Sequence, residues 1–116
     1  MTFARKTRFD RSVSQYRALL RSLARSLILE GTISTTESKA KALRPFVERL
    51  VTYAKKNTLA SRRLTKMRLG GTVATKKLFD VIGPRYVDRQ GGYTRVVKRT
   101  KRGANDARKL AYIAFV

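Results

Sequence analysis

The chain has 116 residues, enough for one compact domain with a modest hydrophobic core but hardly enough for two. Its 28 Lys and Arg residues outnumber 7 Asp and Glu to give a net charge of +21, so an anionic partner is expected, and a polyphosphate such as nucleic acid is the usual one. The absence of Cys and His excludes disulfides, thiolate zinc sites and histidine-based catalysis, and we expect neither a metal nor a cofactor.

The first residues are predicted to form a basic N-terminal arm, residues 1–13, because they contain too few apolar side chains to anchor a packed element. They lack the apolar run of a signal peptide, and no stretch is long enough to span a membrane. We therefore expect a cytoplasmic protein, with import into an organelle left open. The arm is either ordered by phosphates or a frayed terminus without a role. Its candidate binding residues are Arg5, Lys6, Arg8 and Arg11.

Residues Ser14 to Glu30 show the clearest helical pattern, since apolar side chains recur every three or four positions and Gly31 follows as a C-terminal stop. Cations spaced four apart form a stripe along one flank of this helix. The stripe predicts a phosphate contact, and the alternative is a solvated face with no partner. It consists of Arg17, Arg21 and Arg25.

A short β-branched stretch, Thr32 to Thr35, predicts a strand, after which Thr36 can cap a second helix. Glu37 in the first turn suits the helix dipole, and Pro45 is expected to kink or split the helix. The predicted buried face is Ala40, Leu43, Val47, Leu50, Val51 and Ala54. The candidate binding residues in the opening turns are Lys39, Lys41 and Arg44.

A third helix is predicted over Leu59 to Leu69, capped by Asn57 or Thr58. Its outer face is almost wholly cationic, and Arg62 and Arg63 are candidate binding residues. The side chains left for packing are Leu59, Leu64, Met67 and Leu69.

A fourth helix is predicted from Thr72, as its cap, to Ile82, and Gly83 with Pro84 should end it. Its expected core contacts are Leu78, Phe79 and Ile82.

Beyond Pro84 the pattern changes towards alternation, and Tyr93 to Thr100 and Leu110 to Val116 predict a hairpin. Together with the first strand, the hairpin gives a three-stranded sheet covered by about four helices. The predicted fold is therefore a single α+β domain, residues 14–116, preceded by the arm. The link of the hairpin is expected to be a basic loop that binds phosphate or a disordered tip, and it contains Lys98, Arg99, Lys101 and Arg102.

Gly91 and Gly92 form the sharpest local candidate site, because they allow close approach of the backbone to a phosphate or a positive φ. The alternative is an ordinary tight turn. Tyr93, which follows, either stacks on a base or is half-buried against a helix. The cations around this turn are Arg85, Arg89 and Arg95.

One run of residues carries a resemblance to a known family: Leu78-Phe79-Asp80, Pro84-Arg85-Tyr86 and Asp88 to Val96. It resembles the bacterial large-subunit ribosomal protein L seventeen family. Supporting matches are Ala18 to Arg21, Ser26-Leu27, Ile33, Thr35-Thr36, Lys39 to Lys41, Leu43-Arg44 and Arg62-Arg63.

The resemblance implies a single α+β domain that binds large-subunit ribosomal RNA near the exit of the peptide tunnel and supports subunit assembly and translation, without catalysis or a small-molecule substrate. It makes RNA the ligand expected for the cations named above, and it favours RNA contact at Gly91, Gly92, Tyr93 and Thr94. It also implies neighbouring ribosomal proteins as partners, namely L twenty-two and L thirty-two.

Rival functions fit the residues less well. An architectural DNA-binding protein is the main alternative, since net charge does not distinguish duplex DNA from RNA. It needs a groove-reading element, and the cations here are spread over at least four segments. A nuclease needs clustered carboxylates, whereas the seven acids are scattered singly. A membrane-active protein needs the apolar helix faces that this chain uses for its core.

Overall fold

The computed structural model describes residues 12–102 and 109–116, and these form helices packed on a three-stranded antiparallel sheet. The predicted α+β class is confirmed. The helices are α1 (Val13–Glu30), α2 (Glu37–Lys56), α3 (Leu59–Leu69) and a fourth helical segment. That segment comprises α4 (Thr72–Lys77), a π-helical turn (Leu78–Ile82) and a last turn, α5 (Gly83–Arg85). The strands are β1 (Thr32–Thr36), β2 (Thr94–Arg102) and β3 (Lys109–Phe115).

Side-chain caps and left-handed residues set the ends of the first three helices. Ser12, Thr36 and Thr58 each accept a hydrogen bond from a backbone N–H in the first turn of α1, α2 and α3. Gly31, with φ 85°, and Asn57, with φ 50°, end α1 and α2 in the left-handed conformation. The predicted caps are therefore confirmed for α2 and α3, and α1 begins one residue earlier than predicted.

The sheet has the order β1-β3-β2, so the C-terminal strand lies in the middle. Ile113 of β3 pairs with Ile33 of β1 and Val96 of β2, and its side chain is buried beneath the helices. The predicted hairpin is confirmed. The predicted loop position is wrong, because the strand continues to Arg102 through an irregular register. The four predicted loop cations therefore all lie in β2, namely Lys98, Arg99, Lys101 and Arg102.

Helix α2 forms the centre of the core, and all six residues of its predicted face are buried. Pro45 does not split the helix, which runs unbroken from Glu37 to Lys56. The side chain of Pro45 is exposed, so the carbonyl that loses its helical hydrogen bond at this position lies on the solvent side, where water can replace the missing donor.

The predicted packing face of α3 is wrong in two positions. Leu59 and Met67 are 65% and 70% exposed, whereas Ser61 and Thr65 are buried together with Leu69. Residues four apart share one face of a helix, and here that face carries small side chains against the rest of the fold. Small side chains allow helix axes to approach closely, so apolarity alone misidentifies the buried side.

The start and end of the fourth helical segment also differ from expectation. Thr72 is the first helical residue and not the cap, since Gly71 occupies that position without a side-chain hydrogen bond. Gly83 adopts a helical conformation and is buried, and the chain stays helical through Arg85. A Cβ added to Gly83 would lie 3.1 Å from the carbonyl oxygen of Ala54, so this glycine serves close contact with α2 and does not stop the helix.

Candidate nucleic-acid interface

The carboxylates of Glu37 and Glu48 neutralise part of the predicted cationic surface. Glu37 Oε1 lies 2.9 Å from Lys41 Nζ and 3.6 Å from Lys98 Nζ, and Glu48 Oε2 lies 3.4 Å from Arg44 Nε. The hydrogen bond from Lys41 lowers the pKa of Glu37, with a further contribution from the charge on Lys98. These pairs are weak because the cations are exposed, so a phosphate can compete for them. The neighbouring Lys39 is half-buried.

The predicted stripe on α1 contains residues in different environments. Arg17 is exposed and Arg21 is half-buried. Arg25 is half-buried, and its Nη1 donates a hydrogen bond of 2.8 Å to the carbonyl oxygen of Leu69, the last residue of α3. A cation at this end of a helix also suits the helix dipole. Arg25 therefore stabilises the fold, which leaves Arg17 as the most accessible cation of the stripe.

Helices α3 and α4 border an open groove of about 250 Å³. Arg62 and Arg63, both predicted from the sequence, line it together with Lys66 and Lys76, which were not singled out as binding residues. The four cations are exposed. Phe79 forms an aromatic part of the lining. The sequence could have indicated Lys66, because it lies four residues after Arg62 and therefore on the same face of α3. No local signal in the sequence indicated that Lys76 lies beside them.

The turn before β2 has the backbone conformation expected of its glycines. Gly91 has φ 79° and Gly92 has φ 64°, and nothing lies within 4 Å of a Cβ placed on Gly91. Arg89 is exposed beside this turn, as are Arg85 before it and Arg95 after it. The terminal nitrogen Nη2 of Arg89 would lie 3.8 Å from a Cβ placed on Gly92, so one guanidinium lies beside the backbone of the turn, as close contact with a phosphate requires.

Tyr93 and Thr94 follow the glycine turn and are buried in the core beside it. Tyr93 is 3% exposed and the centre of its ring lies 5.3 Å from that of Tyr86, so the ring occupies the core and has no free face for a base. Lys55 Nζ donates to Tyr93 Oη at 2.8 Å and also to the carbonyl of Arg89. The hydrogen bond from Lys55 lowers the pKa of Tyr93.

Buried Thr94 donates through Oγ1 to Glu48 Oε2 at 2.9 Å. Since Glu48 and Lys55 both belong to α2, two side chains of one helix hold the glycine turn against the core. The role this geometry assigns to Tyr93 and Thr94 is to position the turn.

The outer face of the sheet carries an aromatic side chain that the sequence analysis did not single out. Tyr112 is exposed, and the guanidinium of Arg99 lies 4.8 Å from the centre of its ring. Arg99 Nη1 also donates to Ser34 Oγ at 2.8 Å, so one arginine spans all three strands. Stacking on Tyr112 orients this cation.

Some predicted residues lie outside the described part of the chain. These are Arg5, Lys6, Arg8 and Arg11 of the arm and the side chains of Lys101 and Arg102. Within the described ranges, no cluster of three or more acidic residues could hold a metal ion. The described helices include none that is long and apolar enough to cross a membrane.

Comparison with known proteins identifies one matching family and relatives that share one name. The model of the family described as "Ribosomal protein L17" matches residues 19–116. A protein of Hydrogenobaculum sp. is 53% identical over 112 residues, covering 97% of this chain and 95% of the relative. Proteins of Persephonella marina and Akkermansia muciniphila are 52% and 48% identical, covering 93% and 95% of this chain and 88% and 80% of each relative. Each of the three relatives is named "Large ribosomal subunit protein bL17".

Proposed function

Because this chain belongs to the ribosomal protein L17 family, we propose that it is a structural constituent of the large ribosomal subunit that binds large-subunit ribosomal RNA. The observation that carries the proposal is identity of about half of all positions over nearly the full length of relatives with that name. The resemblance seen in the sequence is thereby confirmed. The family is structural and not enzymatic, so the prediction of a non-enzyme is confirmed on the same ground.

The distribution of charge supports RNA as the ligand. Exposed cations occur on α1, along the groove between α3 and α4, and around the glycine turn before β2. Phosphate contacts on several faces add affinity without reading sequence, so selection of the site rests on the shape of a folded RNA that meets all these faces at once. A protein enclosed by RNA needs this arrangement, whereas a reader of one DNA groove needs a single recognition element.

The binding residues we propose are the predicted cations whose side chains are exposed, with the glycine turn beside them. Tyr93 and Thr94 hold that turn in place, and Arg25 donates a hydrogen bond to the last residue of α3. The exposed cations that lack a carboxylate partner among the described residues are Arg17, Arg62, Arg63, Arg85, Arg89 and Arg95. The paired cations Lys41, Arg44 and Lys98 join them when phosphate replaces their carboxylate partners.

The location within the subunit and the neighbours are proposed from the family resemblance. We place the protein near the exit of the peptide tunnel in cytoplasmic ribosomes, with proteins L twenty-two and L thirty-two beside it. Chemical crosslinking of purified large subunits, followed by mass spectrometry, tests the neighbours. Crosslinks from this chain only to proteins elsewhere on the subunit would reject them.

Binding of the full chain to RNA tests the function directly. Affinities for large-subunit rRNA, small-subunit rRNA and duplex DNA are measured across a series of salt concentrations. We expect all three affinities to fall as salt rises, because phosphate contacts weaken with salt, and we expect large-subunit rRNA to remain the preferred ligand, because its folded shape meets several cationic faces at once. Equal affinity for all three nucleic acids, or preference for duplex DNA, would reject the proposal.

A further inference from the structure

The groove between α3 and α4 concentrates positive charge where its lining offers no acid. Arg62, Arg63, Lys66 and Lys76 line it, and the described ion pairs of the chain all involve Glu37 or Glu48, neither of which contributes to the groove. Four like charges around one concavity repel one another unless an anion enters. The groove therefore has the electrostatics of an anion site.

Arg62 is held by two contacts at the edge of this groove. Its Nε donates a hydrogen bond of 2.9 Å to Oδ1 of Asn57, and its guanidinium lies 5.0 Å from the centre of the Phe79 ring. Asn57 is itself fixed as the left-handed residue that ends α2, and Phe79 is buried. Two rigid elements therefore orient the guanidinium plane before any ligand arrives, which lowers the entropy lost on binding.

The hydrogen bond to Asn57 uses one edge of the guanidinium and leaves the other edge, formed by the two terminal nitrogens, for a ligand. That edge matches the spacing of two oxygens on a phosphate. At about 250 Å³ the groove is smaller than typical small-molecule pockets of about 300–1,000 Å³. Its size and chemistry suit a phosphate group better than a whole cofactor.

We propose that this groove binds a backbone phosphate of a folded RNA strand, with Arg62 forming a two-pronged contact and Lys66 and Lys76 neutralising the charge. The proposal rests on the proposed function as an rRNA-binding protein and names one of its phosphate sites. It gives Asn57 and Phe79 a positioning role, since both act through Arg62.

Arg68 provides a matched control on the same helix. Its guanidinium also lies over an aromatic ring, 5.7 Å from the centre of Tyr53, but it does not line the groove. The affinity of the full chain for large-subunit rRNA is measured against salt for wild type, Arg62→Ala and Arg68→Ala. For Arg62→Ala we expect a salt slope smaller by about one and affinity lower by about tenfold. Arg68→Ala should match wild type, and equal effects of the two changes would overturn the proposal.

Two further variants separate geometry from charge. Arg62→Lys keeps the charge but loses the planar fork, so it should retain the wild-type salt slope while binding more weakly at every salt concentration. Asn57→Gly removes the acceptor and still permits the left-handed conformation, and it should weaken binding in the same manner. Wild-type affinity for both variants would overturn the two-pronged contact, and circular dichroism checks that each variant is folded.

Two outcomes distinguish other failures. If wild type itself shows no preference for large-subunit rRNA over small-subunit rRNA, the proposed function fails before the groove is tested. Repeating the titration in chloride and in inorganic phosphate at equal ionic strength separates a strand phosphate from free phosphate. If a strand phosphate occupies the groove, inorganic phosphate competes with it, and the difference between wild type and Arg62→Ala should narrow in phosphate buffer. If the groove takes free phosphate and the strand does not enter it, wild type and Arg62→Ala would bind large-subunit rRNA alike in both buffers, and the RNA assignment would be overturned.

Discussion

Replacing Arg25 with Ala should destabilise the fold, although Arg25 belongs to a stripe that the sequence predicts to bind RNA. Its Nη1 donates to the Leu69 carbonyl at 2.8 Å, and its Cδ would lie 2.8 Å from a Cβ added to Gly71. The side chain thus bridges α1 to the junction of α3 and α4. Loss of the bridge removes a hydrogen bond from a charged donor and a favourable interaction with the end of the α3 dipole.

The expected loss is about 1.5–2 kcal/mol, the lower part of the range for charge-assisted hydrogen bonds, because Arg25 is half-buried and water can reach the carbonyl it leaves. With a denaturant slope of about 1–3 kcal/mol per molar urea for a domain of this size, the unfolding midpoint should fall by about 1 M. Urea titration followed by circular dichroism measures this shift at constant slope.

Arg17→Ala is the matched control, since Arg17 is an exposed arginine of the same helix. Its free energy of unfolding should differ from that of wild type by no more than about 0.5 kcal/mol. If neither Arg25→Ala nor Arg17→Ala changes the free energy of unfolding, the structural role assigned to Arg25 is wrong.

Three further changes test the packing and the electrostatics. Gly83→Ala should destabilise by about 1–3 kcal/mol in urea titration, since the added methyl meets the backbone of α2 at Ala54. Thr65→Val should raise the urea midpoint by the equivalent of about 1 kcal/mol, because the Thr65 hydroxyl is buried with no hydrogen-bond partner among the described residues. Glu37→Gln should lower stability at neutral pH only. The folded pKa of Glu37 lies below its unfolded value, so its contribution exists above the unfolded pKa and is lost as pH falls through the folded one; thermal melts from pH 7 to pH 3 should converge.

The sequence predicted the elements whose signals are local. Gly31 ends α1 and Thr36 caps α2 as expected, and the buried face of α2 follows from the spacing of its apolar residues alone. The errors arose where tertiary packing overrides such signals. Ser61 is buried because α3 packs through small side chains, and Gly83 is helical because α2 passes close to it. Neither contact can be inferred from neighbours along the chain.

For the candidate site, the sequence predicted some features and missed others for the same reason. Charge located the cations but did not reveal what holds them, because their partners are distant in sequence. Arg25 is 44 residues from Leu69, and Arg99 is 65 residues from Ser34. The groove that contains Arg62 required the packing of α3 against α4, which placed Lys76 in it.

Sedimentation of a tagged full-length copy through a sucrose gradient, at moderate and then at high salt, tests the central claim most directly. As a structural constituent of the large ribosomal subunit, the protein should migrate with large subunits and remain there at high salt, because the proposed contacts with RNA lie on several faces and must all be lost before it dissociates. Recovery in the free fractions, or with DNA, would contradict that assignment.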